Sequence, residues 1–224
     1  MSIAENIDRI KSTLPAQVTL VAVSKTKPAE DILEAYQHGQ KVFGENKVQE
    51  MVGKYEILPK DIEWHFIGHL QTNKIKYMAS FVHLIHGVDS FKLLKSIDSE
   101  ARKAGRIISC LLQFHIAEEE TKFGLSKEEA FEMLNSEAFQ SLTNVAICGV
   151  MGMATFTDNE QQIRKEFATL KSYFEILKKE YFAQNPAFKE ISMGMSGDYL
   201  LAIEEGSTMV RIGSSIFGER NYLK

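Results

Sequence analysis

The chain has 224 residues, enough for one substantial core and within the ~200–250 residues common for a single α/β barrel. Its hydrophobic content of 44% and charged content of 25% are those of an ordinary globular domain, and a net charge of −4 argues against nucleic-acid binding, which asks for a basic excess. No apolar run approaches the ~20 residues that span a membrane, and the amphipathic start MSIAENIDRIKSTL lacks the basic and apolar regions of a signal peptide. A cytoplasmic location away from membranes is therefore expected, with Cys110 and Cys148, both in apolar stretches, as buried free thiols.

In chain order the pattern alternates strand and helix. Ile3, Ile7 and Ile10 fall at helical spacing, so residues 2–12 read as a helix. The β-branched run VTLVAVS, 18–24, is the first strand; Pro28 suits a first helical turn, and 29–38 continue it. Residues 41–44 are a very short second strand and 46–54 a helix. WHFIG, 64–68, is the third strand, followed by a helix over 73–79. FVHLIHGV, 81–88, is the fourth, and the helix over 90–104 stops at Gly105. RIISCLLQF, 106–114, is the fifth. The polar segment 115–124, with Glu118, Glu119 and Glu120, reads as a loop before a helix near 126–135. VAICGVM, 145–151, is the sixth strand, and the longest helix covers about 159–182. Beyond Pro186, FKEISM, 188–193, is the seventh, a short helix covers 197–204, and TMVRIG, 208–213, is the eighth.

Strands that are apolar throughout are buried on both faces, as in parallel sheets, and regular alternation with helices implies an α/β fold. Eight such units in this length favour a closed (β/α)8 TIM barrel with an extra N-terminal helix; a doubly wound open sheet is the alternative. Barrel sites lie at the C-terminal ends of the strands. There the sequence places Ser24-Lys25-Thr26-Lys27, Gly44-Glu45-Asn46, His65 with Gly68 and His69, Met151-Gly152-Met153, Met193-Gly194-Met195-Ser196-Gly197 and Arg211-Ile212-Gly213-Ser214-Ser215.

Lys25 closes an apolar strand. Its amine is either desolvated, hence of lowered pKa and apt for Schiff-base chemistry, or it snorkels to solvent. SMGMSGD and RIGSS open the last two loops with glycines and hydroxyls, the usual phosphate position of barrels; Ser196, Gly213 and Ser214 are the natural donors, unless these glycines serve only tight turns. No dinucleotide or P-loop motif is present. Arg211, between Val210 and Ile212, needs a carboxylate, a phosphate or a ring nitrogen as partner. Asn46 either reaches a ring oxygen or caps the next helix. His65 and His69 lie four apart on a strand and turn, with no acid or thiol completing a set in sequence, so no metal is expected. The pairs Met151/Met153 and Met193/Met195 line a ring face or fill the core.

The segments VAVSKTKP (21–28), FGENKVQE (43–50), WHFIGHLQTNK (64–74), GVMGMAT (149–155), ISMGMSGD (191–198) and GSTMVRIGSSIFGER (206–220) together resemble the YggS/PROSC family of pyridoxal 5′-phosphate (PLP) homeostasis proteins. The resemblance runs nearly end to end, so residues 1–224 are read as a single PLP-binding barrel domain. It implies a fold-type III PLP protein, similar to the N-terminal domain of alanine racemase. It further implies that Lys25 carries PLP as a Schiff base and that Ser196, Gly213 and Ser214 hold the phosphate. Arg211 would face the pyridine nitrogen, and Asn46 would lie by the ring; His65 is carried over as a cofactor-binding residue. Lys47 stands where the family often has tyrosine, at a position beyond the site residue.

PLP is a strong electron sink when its ring nitrogen is protonated. Arginine is a permanent cation with no acceptor, so Arg211 would keep that nitrogen unprotonated and the sink weak. Racemisation also needs a second acid/base, which racemases take from a tyrosine of an added β-domain. Here 12 residues follow Ile212, and nothing shows that Tyr222 among them reaches the site. The expectation is a monomeric PLP carrier or buffer with little or no turnover, with PLP-dependent apo-enzymes as possible recipients. The alternatives are an amino-acid racemase of weak activity, or an aldolase-type Schiff-base enzyme without PLP.

Overall fold

A computed structural model describes residues 2–119 and 123–219. Eight strands, β1 (Thr19–Val23), β2 (Val42–Glu45), β3 (Glu63–Phe66), β4 (Leu84–Val88), β5 (Ile108–Gln113), β6 (Val145–Met151), β7 (Glu190–Met195) and β8 (Met209–Ile212), pair in chain order and close on themselves. Every ladder is parallel, including β8 back onto β1. Helix α1 (Ile3–Lys11) precedes the barrel. The crossovers carry α2 (Ala29–Gln37), α3 (Val48–Ile57), a 3-10 turn over Thr72–Tyr77, α4 (Phe91–Lys103), α5 (Lys127–Asn135), α6 (Glu137–Gln140), α7 (Glu160–Glu180) and α8 (Tyr199–Glu204), and α9 (Ser214–Phe217) follows β8. This is the closed barrel with an N-terminal helix expected above, and it removes the open-sheet alternative.

The reason lies in alternation. Leu20, Ala22, Phe43, Trp64, Phe66, Ile85, Cys110, Leu112, Val150, Ile191, Val210 and Ile212 form a layer between strands and helices. The intervening positions Val21, Leu84, Leu111, Met151 and Met209 form a second cluster, filling the barrel itself. Burying both faces is what makes each strand read as apolar throughout. Cys110 is buried as expected; Cys148, midway along β6, is only partly buried, as are Val145 and Ala146 before it.

Other differences are local. β4 begins at Leu84 rather than Phe81, because Phe81 and Val82 still donate their N–H groups to Met78 of the preceding turn. The 73–79 helix is 3-10 in form, and α3 starts at Val48 with Lys47 before it, so Asn46 does not cap it. The single turns α6 and α9 are too short for periodicity to reveal. No helix of the described residues is long and apolar enough to cross a membrane.

One glycine is dictated by close approach. Gly149, at φ +155°, begins the β6–β7 pairing opposite Glu190, and a Cβ there would lie 1.8 Å from the Glu190 carbonyl oxygen. Gly149→Ala is expected to cost at least ~2 kcal/mol of unfolding free energy, since the strand must move and the backbone is strained. Urea denaturation measures this, and a loss under ~0.5 kcal/mol would show that the pairing is not constrained there.

Candidate functional site

The C-terminal rim of the barrel surrounds a cavity of about 570 Å3, lined among others by Lys25, Ile67, Met153, Arg211, Ser196 and Ser214. That is within the ~300–1,000 Å3 of small-ligand sites. Lys25 is half-buried at its wall, two residues beyond the end of β1.

The turn that carries Lys25 is clamped from beneath. Ser24 is buried, and its hydroxyl donates to Glu45 Oε1 at 2.6 Å. Lys54, from α3, donates to the Ser24 carbonyl (2.8 Å), Glu45 Oε1 (2.7 Å) and Glu50 Oε1 (2.7 Å). Glu50 in turn accepts the Thr26 N–H at 2.6 Å. Thr26 adopts φ +64°, alone among the described non-glycine residues in having a positive φ. A left-handed residue of this type costs about 1–2 kcal/mol, so the Glu50 and Lys54 contacts hold the backbone beside Lys25 in a shape it would not choose alone. Burial pushes the Glu45 carboxyl up, opposed by the Lys54 charge and by the bonds from Lys54 and Ser24.

Beside that turn stands Arg211, buried near the end of β8, the strand that pairs with β1. It donates from Nη1 to Ser192 Oγ (2.6 Å) and from Nη2 to the Gly152 carbonyl (3.1 Å). Burial lowers it to about 10 against the attraction of Asp198, so it stays a cation at neutral pH. Ser192 continues inward: its Oγ meets His86 Nδ1 at 2.9 Å, and His86 Nε2 meets His65 Nδ1 at 3.0 Å. Burial drops His65 to about 3, with the neighbouring His83 adding, and holds His86 well below its ordinary range, so both imidazoles are neutral at neutral pH.

The two glycine-serine turns, after β7 and β8, meet at the same rim. The Gly213 N–H donates to Ser196 Oγ at 3.4 Å, and a Cβ on Gly213 would stand 3.0 Å from the Val23 carbonyl oxygen. Glycine thus lets this turn settle against the strand that carries Lys25. Ser214 opens α9, and α1 braces that turn: Asn6 Nδ2 donates to the Ile216 carbonyl at 2.9 Å and Arg9 Nη2 to that of Ser215 at 3.4 Å.

Of the residues singled out in the sequence, Lys25, Ser196, Arg211, Gly213 and Ser214 line this one cavity, whereas Asn46 and His65 do not. Asn46 is half-buried directly after β2, where a Cβ on Gly68 would lie 2.5 Å from its carbonyl oxygen. His65 faces inward one layer deeper, against His86. The methionines divide: Met151 and Met193 are buried core, while Met153 and Met195 line the cavity. Sequence reasoning missed Ser192, His86, Asp198 and the segment Thr155–Asp158, the last held by Glu166, which accepts from the Thr155 N–H at 2.7 Å and from its hydroxyl at 2.7 Å. Tyr222 and Glu120 lie outside the described residues.

Residues 1–221 match the alanine racemase N-terminal domain family. The pyridoxal phosphate homeostasis protein of Aquifex aeolicus is 44% identical over 204 residues, covering 91% of this chain and 87% of that one. The chain belongs to the pyridoxal phosphate homeostasis protein family. Its barrel superposes on that of PipY from Synechococcus elongatus, determined without PLP (TM-score 0.88, 36% identity, 97% of this chain and 100% of that one) and with PLP bound (TM-score 0.85, 35% identity, the same coverage). Alanine racemase from Bartonella henselae, with covalently bound pyridoxal phosphate, shares the fold at 16% identity and TM-score 0.73, with 99% of this chain matching 60% of that one. Family membership and barrel geometry therefore agree.

Proposed function

We propose that this protein binds PLP and holds it as a Schiff base on Lys25, serving PLP homeostasis as a carrier or buffer. The observation that carries this reading is one cavity edged by a half-buried lysine, a buried arginine and two glycine-serine turns. Those groups fit an aldehyde, a ring nitrogen and a phosphate. The names of the relatives and the PLP-bound PipY structure support the same cofactor. PLP, when bound, supplies an electron sink.

The residues of this chain set how strong that sink is. Two Arg211 donors are engaged by Ser192 and Gly152, which fixes the guanidinium plane and leaves its other donors for a ring nitrogen. A cation that gives no proton holds that nitrogen unprotonated. The ionisable side chains lining the cavity among the described residues are Lys25, Lys27, Asp158, Asp198 and Arg211. No tyrosine or histidine among them could act opposite Lys25, which disfavours a two-base racemisation. Little or no turnover follows, and PLP-dependent apo-enzymes are the recipients that a carrier would serve.

Mass spectrometry after borohydride reduction of PLP-loaded protein is expected to place the pyridoxyl adduct on Lys25. An unmodified Lys25 would overturn the reading. Each L-amino acid incubated with loaded protein is expected to yield no D-form above the level with free PLP. Robust D-amino-acid formation would replace the carrier with a racemase.

A further inference from the structure

The end of the barrel opposite Lys25 carries a second cluster. Glu63 opens β3, His65 follows two residues on, and His83 immediately precedes β4. Each offers a ligand atom, and the three atoms lie within 4.8 Å of one another. His83 Nε2 stands 3.6 Å from Glu63 Oε2, and the His65 and His83 rings are stacked with centroids 5.5 Å apart. The Glu63 and His83 side chains are about half exposed (46% and 53%), while His65 is 2% exposed. His65 Nδ1 is engaged by His86, and Nε2 has no hydrogen-bond partner among the described residues, although it is fully buried. A buried polar atom left unpaired costs about 1–3 kcal/mol, so this nitrogen calls for an occupant.

We propose that Glu63, His65 and His83 bind a divalent transition-metal ion of the zinc class. Two imidazoles and a carboxylate, with a fourth position open to water, are a zinc ligand set; hard cations such as Mg2+ prefer oxygen alone. With metal–ligand bonds of ~2.0–2.2 Å, tetrahedral ligand atoms lie roughly 3.3 Å apart. The fixed member is the buried ring, and the exposed Glu63 and His83 side chains turn to close the set. His86 on Nδ1 is the second-shell contact that orients a metal-bound histidine. None of the three residues lines the Lys25 cavity, so the site is separate from the cofactor. The pair suggested by sequence spacing is not part of it as a pair, since His69 Nδ1 lies 3.1 Å from Asp89 Oδ2.

The test titrates chelator-stripped, PLP-loaded protein with ZnCl2 in competition with a chromophoric chelator. One equivalent of Zn2+ is expected to bind, at least 10-fold more weakly in His83→Ala and in Glu63→Gln. Both replacements are at exposed side chains, so circular dichroism is expected to be unchanged. Nitrogen-15 NMR of the histidine rings reads His65 directly in unsubstituted protein: its Nε2 resonance is expected to shift on Zn2+ addition. Absence of binding, equal binding by both variants, or an unmoved His65 Nε2 would each overturn the proposal.

Discussion

Lys25→Ala protein mixed with PLP is expected to stay colourless and to give no pyridoxyl adduct on borohydride reduction, where the unsubstituted chain gives one. The effect should be complete rather than partial, because the other amine at the cavity is already committed. Lys27 also lines it, but its Nζ donates to the Phe217 carbonyl at 2.7 Å and the Glu219 carbonyl at 2.8 Å. To replace Lys25 it would have to abandon both bonds and reach past its own turn. The glycine-serine turns proposed to hold the phosphate are untouched by the substitution, so residual, non-covalent binding of PLP should persist and remain sensitive to Ser196→Ala. An adduct appearing on Lys27 in the variant would show that the tether is interchangeable and that the fixed turn at Thr26 does not select the amine.

Lys54→Ala is expected to lower the unfolding free energy by about 3–5 kcal/mol at neutral pH, the range for breaking a buried ion pair by removing one partner. The Lys54 side chain is 8% exposed and Glu45 0%, and the same ammonium also neutralises Glu50. Without it two carboxylates face each other beneath the Lys25 turn. The Glu45 carboxyl, already raised by burial, must rise further once the opposing charge is gone. A carboxyl raised in the folded state binds its proton more tightly there than in the unfolded chain. Its contribution to stability is full below the ordinary value of 4.5 and is lost as pH climbs through the folded value. The deficit of the variant should therefore be smaller at pH 5 than at pH 8. Adding Glu45→Gln should recover part of it at pH 8. Urea denaturation at the two pH values checks both statements, and a deficit independent of pH would mean that packing, not charge, is what Lys54 supplies. Because Thr26 leans on Glu50, the variant should also take up PLP more slowly.

The fold was legible because both faces of each strand are buried, which leaves an unmistakable apolar run wherever the barrel wall passes. Lys25 and Arg211 stood out as polar residues attached to such runs, and the glycine-serine turns stood out by composition. Lys54 did not: in sequence it is one more lysine four residues after a glutamate on a helix, which is the pattern of a solvated ion pair. His86 and Ser192 were hidden for a different reason. Each is a single polar residue inside an apolar strand, and only the pairing of β3, β4, β7 and β8 around a closed wall brings them to His65 and Arg211. Asn46 and His65 were placed at the rim by their position near strand ends and beside the cofactor by the family resemblance; neither lines the Lys25 cavity, and His65 pairs with His86 inside the barrel, because side chains on successive strand residues alternate. Glu63 and His83 lie 20 residues apart with a helical turn between them, so no local spacing could have joined them.

The row His65, His86, Ser192, Arg211 has a further consequence. Arginine can only give hydrogen bonds, so the Ser192 oxygen must accept from Arg211 and has one hydrogen of its own to place. If that hydrogen goes to His86 Nδ1, then His86 gives from Nε2 to His65 Nδ1, and His65 carries its proton on Nε2. If His86 gives to Ser192 instead, every bond behind it reverses and His65 Nε2 is left as a bare lone pair. Because both rings are neutral, these are the only two orders. The barrel interior thus stores one binary direction, and whatever sets it at the floor is legible as a hydroxyl orientation beside Arg211.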